Sequence, residues 1–317
     1  MRMQRNGLKA APDTPRCYNN MLPPDPPKIE ANDLQRCRET GDYSTIFFEW
    51  YKYVASLGFI FANLKQDTPS VREDISKRDY GILIGLLNRC ARIMLANVAL
   101  SHKGEFGEST MILDRCIFES CVILTWLCKS TNIEDRFDRY IASGLKTELD
   151  LRDQLQNAIS ARDGKQLNIE YRMLETVKGC LAEAGFDEEK IKNTKGMPDM
   201  ASMLKSLGQT RFIYTAGQRV SSHHVHGTWV GLRNHYIDLA DDGSYHTKRF
   251  SPTHVNQYVY IAFIVLDALG FFVNFVFKSS EDEKNAIIKF IREVFDKISS
   301  VNNEMIRTDY EYHNDES

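Results

Sequence analysis

The chain has 317 residues, of which 43% are hydrophobic and 26% are charged, and its formal net charge is -3. This length is enough to bury a large core. The small negative charge gives no electrostatic reason to expect a protein that coats nucleic acid or anionic membranes, so any such contact would have to be local. The seven cysteines form no C-x-x-C pair, and their odd number is typical of reduced thiols. The sequence therefore favours a cytoplasmic protein.

Helical periodicity dominates the chain between two atypical ends. Residues 1–40 contain six of the nine prolines and predict an extended or disordered arm, and residues 304–317 predict an acidic, frayed tail. Between them, apolar residues recur with a period near 3.6, and no long stretch alternates with period two. The predicted helices cover 43–64, 76–103, 108–130, 133–162, 167–184, 198–208, 210–238, 254–278 and 281–303. We therefore expect an all-α protein, a multi-helix bundle with long central apolar helices, whose single domain spans 43–303.

The segment 258–277 is long enough to cross a bilayer, but Asp267 lies at its centre. A carboxylate at mid-membrane is costly, and basic flanks that would set a topology are missing. We expect this segment to be a buried core helix, with no membrane insertion.

A polar group interrupts the apolar helix predicted at 108–130. The group consists of Asp114, Arg115 and Glu119. Arg115 and Glu119 share a face of the helix because they are four residues apart. Arginine on the N-terminal side is the poorer order for a pair within one helix, so a partner on another helix is expected. The group fits either an ion pair that fixes helix register or part of a functional site.

Three histidines lie within four residues in the predicted helix 210–238. On a continuous helix, Arg219, His223, His226, Val230 and Arg233 would form one stripe, bordered by Ser222. A metal site is one interpretation, but the H-E-x-x-H pattern is missing, and we expect no metal and no cofactor. Structural histidines at a helix crossing are a second interpretation, and acid/base chemistry beside an arginine is the third.

The spacing of Arg219 to His224 and of Arg219 to His226 resembles the R-x(4–6)-H pattern of the HEPN superfamily. That superfamily consists of all-helical proteins and includes many metal-independent endoribonucleases of toxin and phage-defence systems. The resemblance implies a site completed by a second protomer, and therefore a homodimer and RNA as partners.

Two sequence blocks also resemble a family of bacterial helical proteins that has no assigned function. One block carries R-x-x-F-E at Arg115, Phe118 and Glu119. The other has Tyr214 followed by S-x-x-V-H-G at residues 222–227. The resemblance extends from about residue 78 to 278 and favours His226 over His224 as the functional histidine.

These residues support two functional hypotheses. In the first, the protein is a metal-independent endoribonuclease, in which histidine transfers protons and arginine neutralises the phosphate. The candidate catalytic residues are Arg219, His226, Glu119 and His223, with Glu119 orienting His226. The candidate substrate-binding residues are Arg115, Ser222, Tyr214 and Arg233. In the second hypothesis, the same polar stripe is a structural or partner-binding seam of a non-catalytic helical sensor or assembly module.

Overall fold

A computed structural model describes residues 23–101, 105–129, 133–278 and 282–315. Helices dominate this part of the chain, and a two-stranded antiparallel hairpin is added to them. The helices are α1 Ala31–Thr40, α2 Ser44–Ala62, α3 Lys77–Ser101, α4 Gly107–Cys128, α5 Ile133–Ser160, α6 Asn168–Ala184, α7 Glu188–Asn193, α8 Met200–Ser206, α9 Arg211–Tyr214, α10 Ser221–Val225, α11 Trp229–His235, α12 Val255–Val276 and α13 Asp282–Asp315. A π-helical turn, Thr215–Val220, joins α9 to α10, and strands β1 Ile237–Leu239 and β2 Tyr245–Thr247 form the hairpin. The all-α prediction is confirmed.

The main core lies where α2, α3, α4 and α12 pack against one another. Helix α12 contacts α2, α4 and α13, and its Leu269, Phe272 and Val276 are fully buried. Because α4 and α12 are apolar on most of their surface, burial on several sides is the arrangement that removes their side chains from water. The prediction of long central apolar helices, with a buried core helix at 258–277, is confirmed.

A buried polar network crosses this core at Asp114. The Asp114 carboxylate accepts hydrogen bonds from Asn97 Nδ2 at 2.6 Å and from Gln257 Nε2 at 2.9 Å, and Asn97 Nδ2 also donates to Tyr51 Oη at 3.0 Å. Burial raises the pKa of Asp114 to about 7, although the hydrogen bonds from Gln257 and Asn97 act in the opposite direction. The network joins α2, α3, α4 and α12 by directional bonds.

A second, smaller core lies between α5, α6 and α7. It consists of Ala142, Leu145, Leu149, Phe186 and Ile191. Arg78 and Lys190 both bind the Asp138 carboxylate, at 2.9 and 3.0 Å, and so connect α7 to α3 and α5. This part of the molecule lies apart from the candidate site.

The chain ends differ from the sequence expectation in two places. Within the predicted arm, residues 31–40 form α1, which begins with a Glu30–Asp33 capping box and buries Cys37. All six N-terminal prolines lie at or before Pro27, so they leave this helix free to form. Residues 1–22 of the arm lie outside the described residues. Within the predicted tail, α13 continues to Asp315.

Helices α3 and α12 both have the length and apolar composition of a membrane-spanning helix. In α12, 61% of the most apolar window is buried inside the protein, as it is in a core helix, whereas in α3 the share is 39%. The absence of membrane insertion stays a prediction.

Candidate functional site

The segment that carries the histidines is interrupted twice. The π-helical turn Thr215–Val220 precedes α10, which ends at Val225, and Gly227 then adopts a left-handed φ of +57°. Thr228 caps α11. The predicted continuous helix 210–238 is therefore wrong, and Val230 and Arg233 do not extend the stripe of Arg219, His223 and His226, because the chain turns at Gly227 before a new helix begins.

Gly217 lets the π-helical turn pack closely on α4. A Cβ atom at this position would lie 2.5 Å from the nearest ring carbon of Phe118, a distance that side chains do not tolerate. A widened turn is a frequent feature of functional segments. Here it places Gln218 over Glu119 and leaves Arg219 in solvent.

Four side chains form a hydrogen-bonded polar seam between α4 and this segment. Arg115 Nε donates to Glu119 Oε1 at 2.9 Å, and Arg115 Nη1 donates to Ser222 Oγ at 3.1 Å. Gln218 Nε2 donates to the same Glu119 oxygen at 2.9 Å. Helix α4 packs against the histidine segment, and the partner that was expected outside α4 is Ser222 for Arg115 and Gln218 for Glu119. The Arg115–Glu119 pair also forms within α4 despite its unfavourable order, because bonds from the other segment hold both side chains.

His223 and His224 are partly buried beside the seam. His223 Nδ1 is hydrogen-bonded to Thr228 Oγ1 at 2.8 Å, which connects this residue of α10 to the start of α11. The His224 ring lies 4.6 Å from the His235 ring, and among the described residues His224 Nδ1 is buried without a partner. Desolvation, together with the charges of His235 and His223, lowers the pKa of His224 to about 4. His224 is therefore neutral near pH 7.

His235, which lies against His224, is also close to Ser251 and Glu108, two residues of other segments. Its Nδ1 is hydrogen-bonded to Ser251 Oγ at 2.7 Å. Burial lowers the pKa of His235, while the negative charge of Glu108 acts to raise it. Glu108 Oε2 is itself buried with no hydrogen-bond partner in the described structure.

Arg219, His226 and Arg233 remain exposed. Within the described residues, none of their side chains forms a hydrogen bond or an ion pair. The expected Glu119–His226 hydrogen bond does not form, because Glu119 is engaged by Arg115 and Gln218 and because His226 ends α10 facing solvent. Tyr214 packs against the main core instead of joining the polar group.

The exposed residues lie within a surface segment of unusual composition, residues 211–250, which we call the outer segment. Of the 17 large hydrophobic side chains that are exposed in the described part of the chain, ten belong to it. These are Phe212, Val220, Val225, Trp229, Val230, Leu232, Tyr236, Leu239, Tyr245 and Phe250. It carries five basic and three acidic side chains, whereas the whole chain has a net charge of -3. The outer segment thus has the apolar area and local charge of a binding surface.

Four further residues near the site were not predicted from the sequence: Gln218, His235, Ser251 and Glu108. Gln218 faces α4 because the π-helical turn changes the winding, and nothing in its sequence surroundings marks that change. His235, Ser251 and Glu108 come from three segments that only the fold brings together. A signal was available for His235 alone, as an additional histidine near the cluster.

Residues 80–245, a little more than half of the chain, match the model of a family of unknown function, DUF5677. The chain belongs to this family. Both blocks of the seam, Arg115–Glu119 and Ser222–Gly227, lie inside the matched range, as does most of the outer segment, whereas α12 and α13 lie beyond it. Searches of curated proteins and of solved structures found no match.

Proposed function

We propose that this DUF5677 protein binds single-stranded RNA on its outer segment and cleaves it without a metal ion, using Arg219 and His226. The observation that carries the proposal is the combination, within 40 residues, of exposed aromatic rings with arginines and a histidine that have no polar partner in the described part of the chain. Cytoplasmic location and a role as a bacterial toxin or in phage defence are part of the same proposal.

Aromatic rings and arginines are the two elements of a surface for single-stranded nucleic acid. Phe212, Trp229, Tyr245 and Phe250 are each at least half exposed, and the Trp229 and Tyr245 rings contact each other at 5.8 Å. Such rings stack on unpaired bases, and each contact contributes about 1–3 kcal/mol. The exposed guanidinium groups of the segment, at Arg211, Arg219, Arg233 and Arg249, supply positive charge for phosphates.

His226 supports the chemical step. Cleavage requires a base to remove the proton of the ribose 2′-hydroxyl, whose oxygen then attacks the phosphorus atom. The bond to the 5′-oxygen breaks, and an acid returns a proton to that leaving oxygen, giving a 2′,3′-cyclic phosphate and a 5′-hydroxyl. An exposed imidazole can accept or donate a proton in the reaction, and Arg219 stabilises the negative charge that develops on the phosphate. A second protomer would supply the second histidine.

The test is incubation of purified protein with end-labelled single-stranded RNA in excess EDTA. The parent protein should produce 2′,3′-cyclic phosphate ends, and His226→Ala should slow cleavage by about a hundred- to ten-thousandfold, which a positioned acid or base typically contributes. Arg219→Ala should also slow cleavage without unfolding the protein. The matched controls lie outside the outer segment: Arg172→Ala removes an exposed arginine of α6, and His254→Asn removes an exposed histidine but keeps a residue that can cap α12. Intact RNA under all conditions, or full activity of His226→Ala, would rule out the proposal.

A second candidate function is assembly through the outer segment. It is favoured by the closed seam, in which Arg115, Glu119 and Ser222 satisfy one another, and by the exposed apolar side chains around α11. If the outer segment joins two copies of the chain, sedimentation should show a dimer that Leu232→Glu dissociates. Leu167→Glu, at an equally apolar exposed position outside the segment, should leave the dimer intact. A monomeric parent protein would exclude this function.

A further inference from the structure

The hydrogen bonds that the described side chains give the buried Asp114 carboxylate all come from amide groups. One oxygen accepts from Asn97 Nδ2 at 2.6 Å, and the other accepts from Gln257 Nε2 at 2.9 Å. Asn97 Nδ2 uses its second hydrogen for Tyr51 Oη at 3.0 Å. A carboxylate only accepts hydrogen bonds, so this arrangement belongs to the ionised form of Asp114.

The ionised form is costly at this position. Asp114 is 8% exposed, Asn97 2% and Tyr51 1%. In the described structure, burial and the two amides determine the pKa of Asp114, and no charged side chain contributes to it. Arg115, the next residue in the sequence, binds Glu119 instead. Burial of a carboxylate without a positive partner favours uptake of a proton.

The other titratable groups around Asp114 belong to three neighbouring helices. Tyr51 comes from α2, Cys90 from α3 and Tyr258 from α12, and the Tyr258 ring contacts the Tyr51 ring at 5.5 Å. Burial, and next the charge of Asp114, raise the pKa of Tyr51 well above its usual value, so the hydroxyl keeps its proton. Asp114 is therefore the group of this network that gains and loses a proton near neutral pH.

A protonated Asp114 needs an acceptor that the present arrangement does not offer. One of its oxygens becomes a donor, and it would then face the NH2 group of Asn97 or Gln257, which is also a donor. An amide removes this conflict when it turns over and exchanges the positions of its oxygen and its nitrogen, since the two ends have nearly the same shape.

Asn97 is the amide that can turn without losing a bond of its oxygen. Asn97 Oδ1 is buried and has no hydrogen-bond partner in the described structure. Gln257 Oε1, in contrast, accepts from the His254 backbone N–H at 2.9 Å and so caps α12. Turning Gln257 would break that cap, whereas turning Asn97 gives its unpaired oxygen a donor.

The turned Asn97 keeps the same neighbours with reversed bonds. Its Oδ1 would accept from the protonated Asp114 carboxyl and from the Tyr51 hydroxyl, which accepts in the present arrangement. Its NH2 group would take the place of the oxygen that now lacks a partner. Each orientation leaves one side of the Asn97 amide unpaired, so the two states are close in free energy and one proton can decide between them.

We propose that Asp114, Asn97 and Tyr51 form a proton-controlled switch in the main core: when Asp114 binds a proton from solvent, the Asn97 amide turns over and the hydrogen bonds between α2, α3 and α4 reverse direction. The helices keep their positions, because the same side chains stay in contact. The switch is distinct from the outer segment and does not depend on RNA cleavage.

The test follows the side-chain amides of the parent protein by NMR, with ¹⁵N-labelled asparagine and glutamine, from about pH 5 to about pH 9, which brackets the Asp114 pKa of about 7. Contacts with the Tyr51 ring assign the Asn97 signals. At high pH the Asn97 amide protons should lie downfield, because they bind a carboxylate and a hydroxyl oxygen. They should move upfield as Asp114 becomes protonated, because they lose both partners, while the Gln257 protons should stay downfield.

Asp114→Asn provides a second measurement. Its amide offers one donor and one acceptor, like a protonated carboxyl group, so Asn97 should keep the low-pH signals of the parent protein at every pH. The matched control is the exposed Asp241→Asn, which should keep the transition. The titration of the parent protein needs no variant, so it decides the matter even if Asp114→Asn does not fold.

Three results would overturn the proposal. In the first, the ¹³C signal of the Asp114 carboxyl group titrates but the Asn97 amide signals do not change. In the second, the Gln257 signals change in place of those of Asn97, which would mean that the capping amide turns. In the third, Asp114 keeps one ionisation state over the whole pH range.

Discussion

The main core and the outer segment both hold aromatic side chains and polar groups, but they use them in opposite ways. In the core, Phe272 is fully buried and the Asp114 carboxylate is paired on both oxygens. In the outer segment, Phe212 is 73% exposed, and Arg219 and His226 contact no described polar group. The core residues satisfy one another, whereas the outer segment presents apolar area and charge that the rest of this chain does not use. The comparison separates residues that stabilise the fold from residues available for binding.

Truncation of one phenylalanine in each region gives the largest contrast. Phe272→Ala should lower the free energy of unfolding by about 3–5 kcal/mol, because it leaves a cavity in a fully packed site. Phe212→Ala should change it by less than about 0.5 kcal/mol, because the ring is largely in solvent. Urea unfolding measures the change in stability of each variant. Of the two substitutions, only Phe212→Ala should weaken RNA binding while the protein remains folded. A similar loss of stability in both would erase the distinction.

The second contrast is the pH dependence that Asp114 gives to the core. The pKa of Asp114 is higher in the folded protein than in the unfolded chain, so the folded protein binds a proton more tightly at this carboxyl group. The stability that results from this proton binding is present at low pH and is lost as pH rises from about 4 to about 7. The stability of the parent relative to Asp114→Asn should therefore fall over this range by up to about 4 kcal/mol. Urea unfolding at several pH values tests this, with the exposed Asp241→Asn as control. A pH-independent difference would contradict it.

Within the outer segment, His224 should produce the opposite dependence of stability on pH, and a smaller one. Its pKa is lowered in the folded protein, so its contribution to stability is present above about pH 6.5 and is lost as pH falls towards 4. The side chain is half-buried, and solvent screening reduces the expected effect to about 1 kcal/mol. His224→Gln should make unfolding less sensitive to acid than in the parent protein. If the variant has the same acid sensitivity, His224 is not the group responsible.

The main core and the outer segment differ in how much of their structure could be predicted from the sequence. The long helices were predictable because their apolar residues repeat with helical spacing, and the packing of α4 on the histidine segment was predictable because Arg115 and Glu119 needed partners in apolar surroundings. The break at Gly227 and the π-helical turn were not, because glycine is compatible with both a helix and a turn and because Thr215–Val220 contains no residue that excludes an α-helix. The exposure of Arg219 and His226 follows from these local breaks and could not be read from periodicity.

The π-helical turn makes the outer segment sensitive to its length as well as to its chemistry. Its hydrogen bonds run from residue i to i+5, so the turn holds one residue more than an α-helical turn. Deleting one residue between Thr215 and Val220 would restore α-helical winding, and each residue of an α-helix advances the direction of its side chain by about 100°. Because each residue of the wider π-helical turn advances by a smaller angle, the flanking segments would keep nearly the same relative direction, but the side chains inside the turn would be spaced differently, and the pairing of Gln218 with Glu119 could not persist together with the exposure of Arg219. A one-residue deletion here would redirect the side chains of the turn together, a change that substitution of a single side chain does not make.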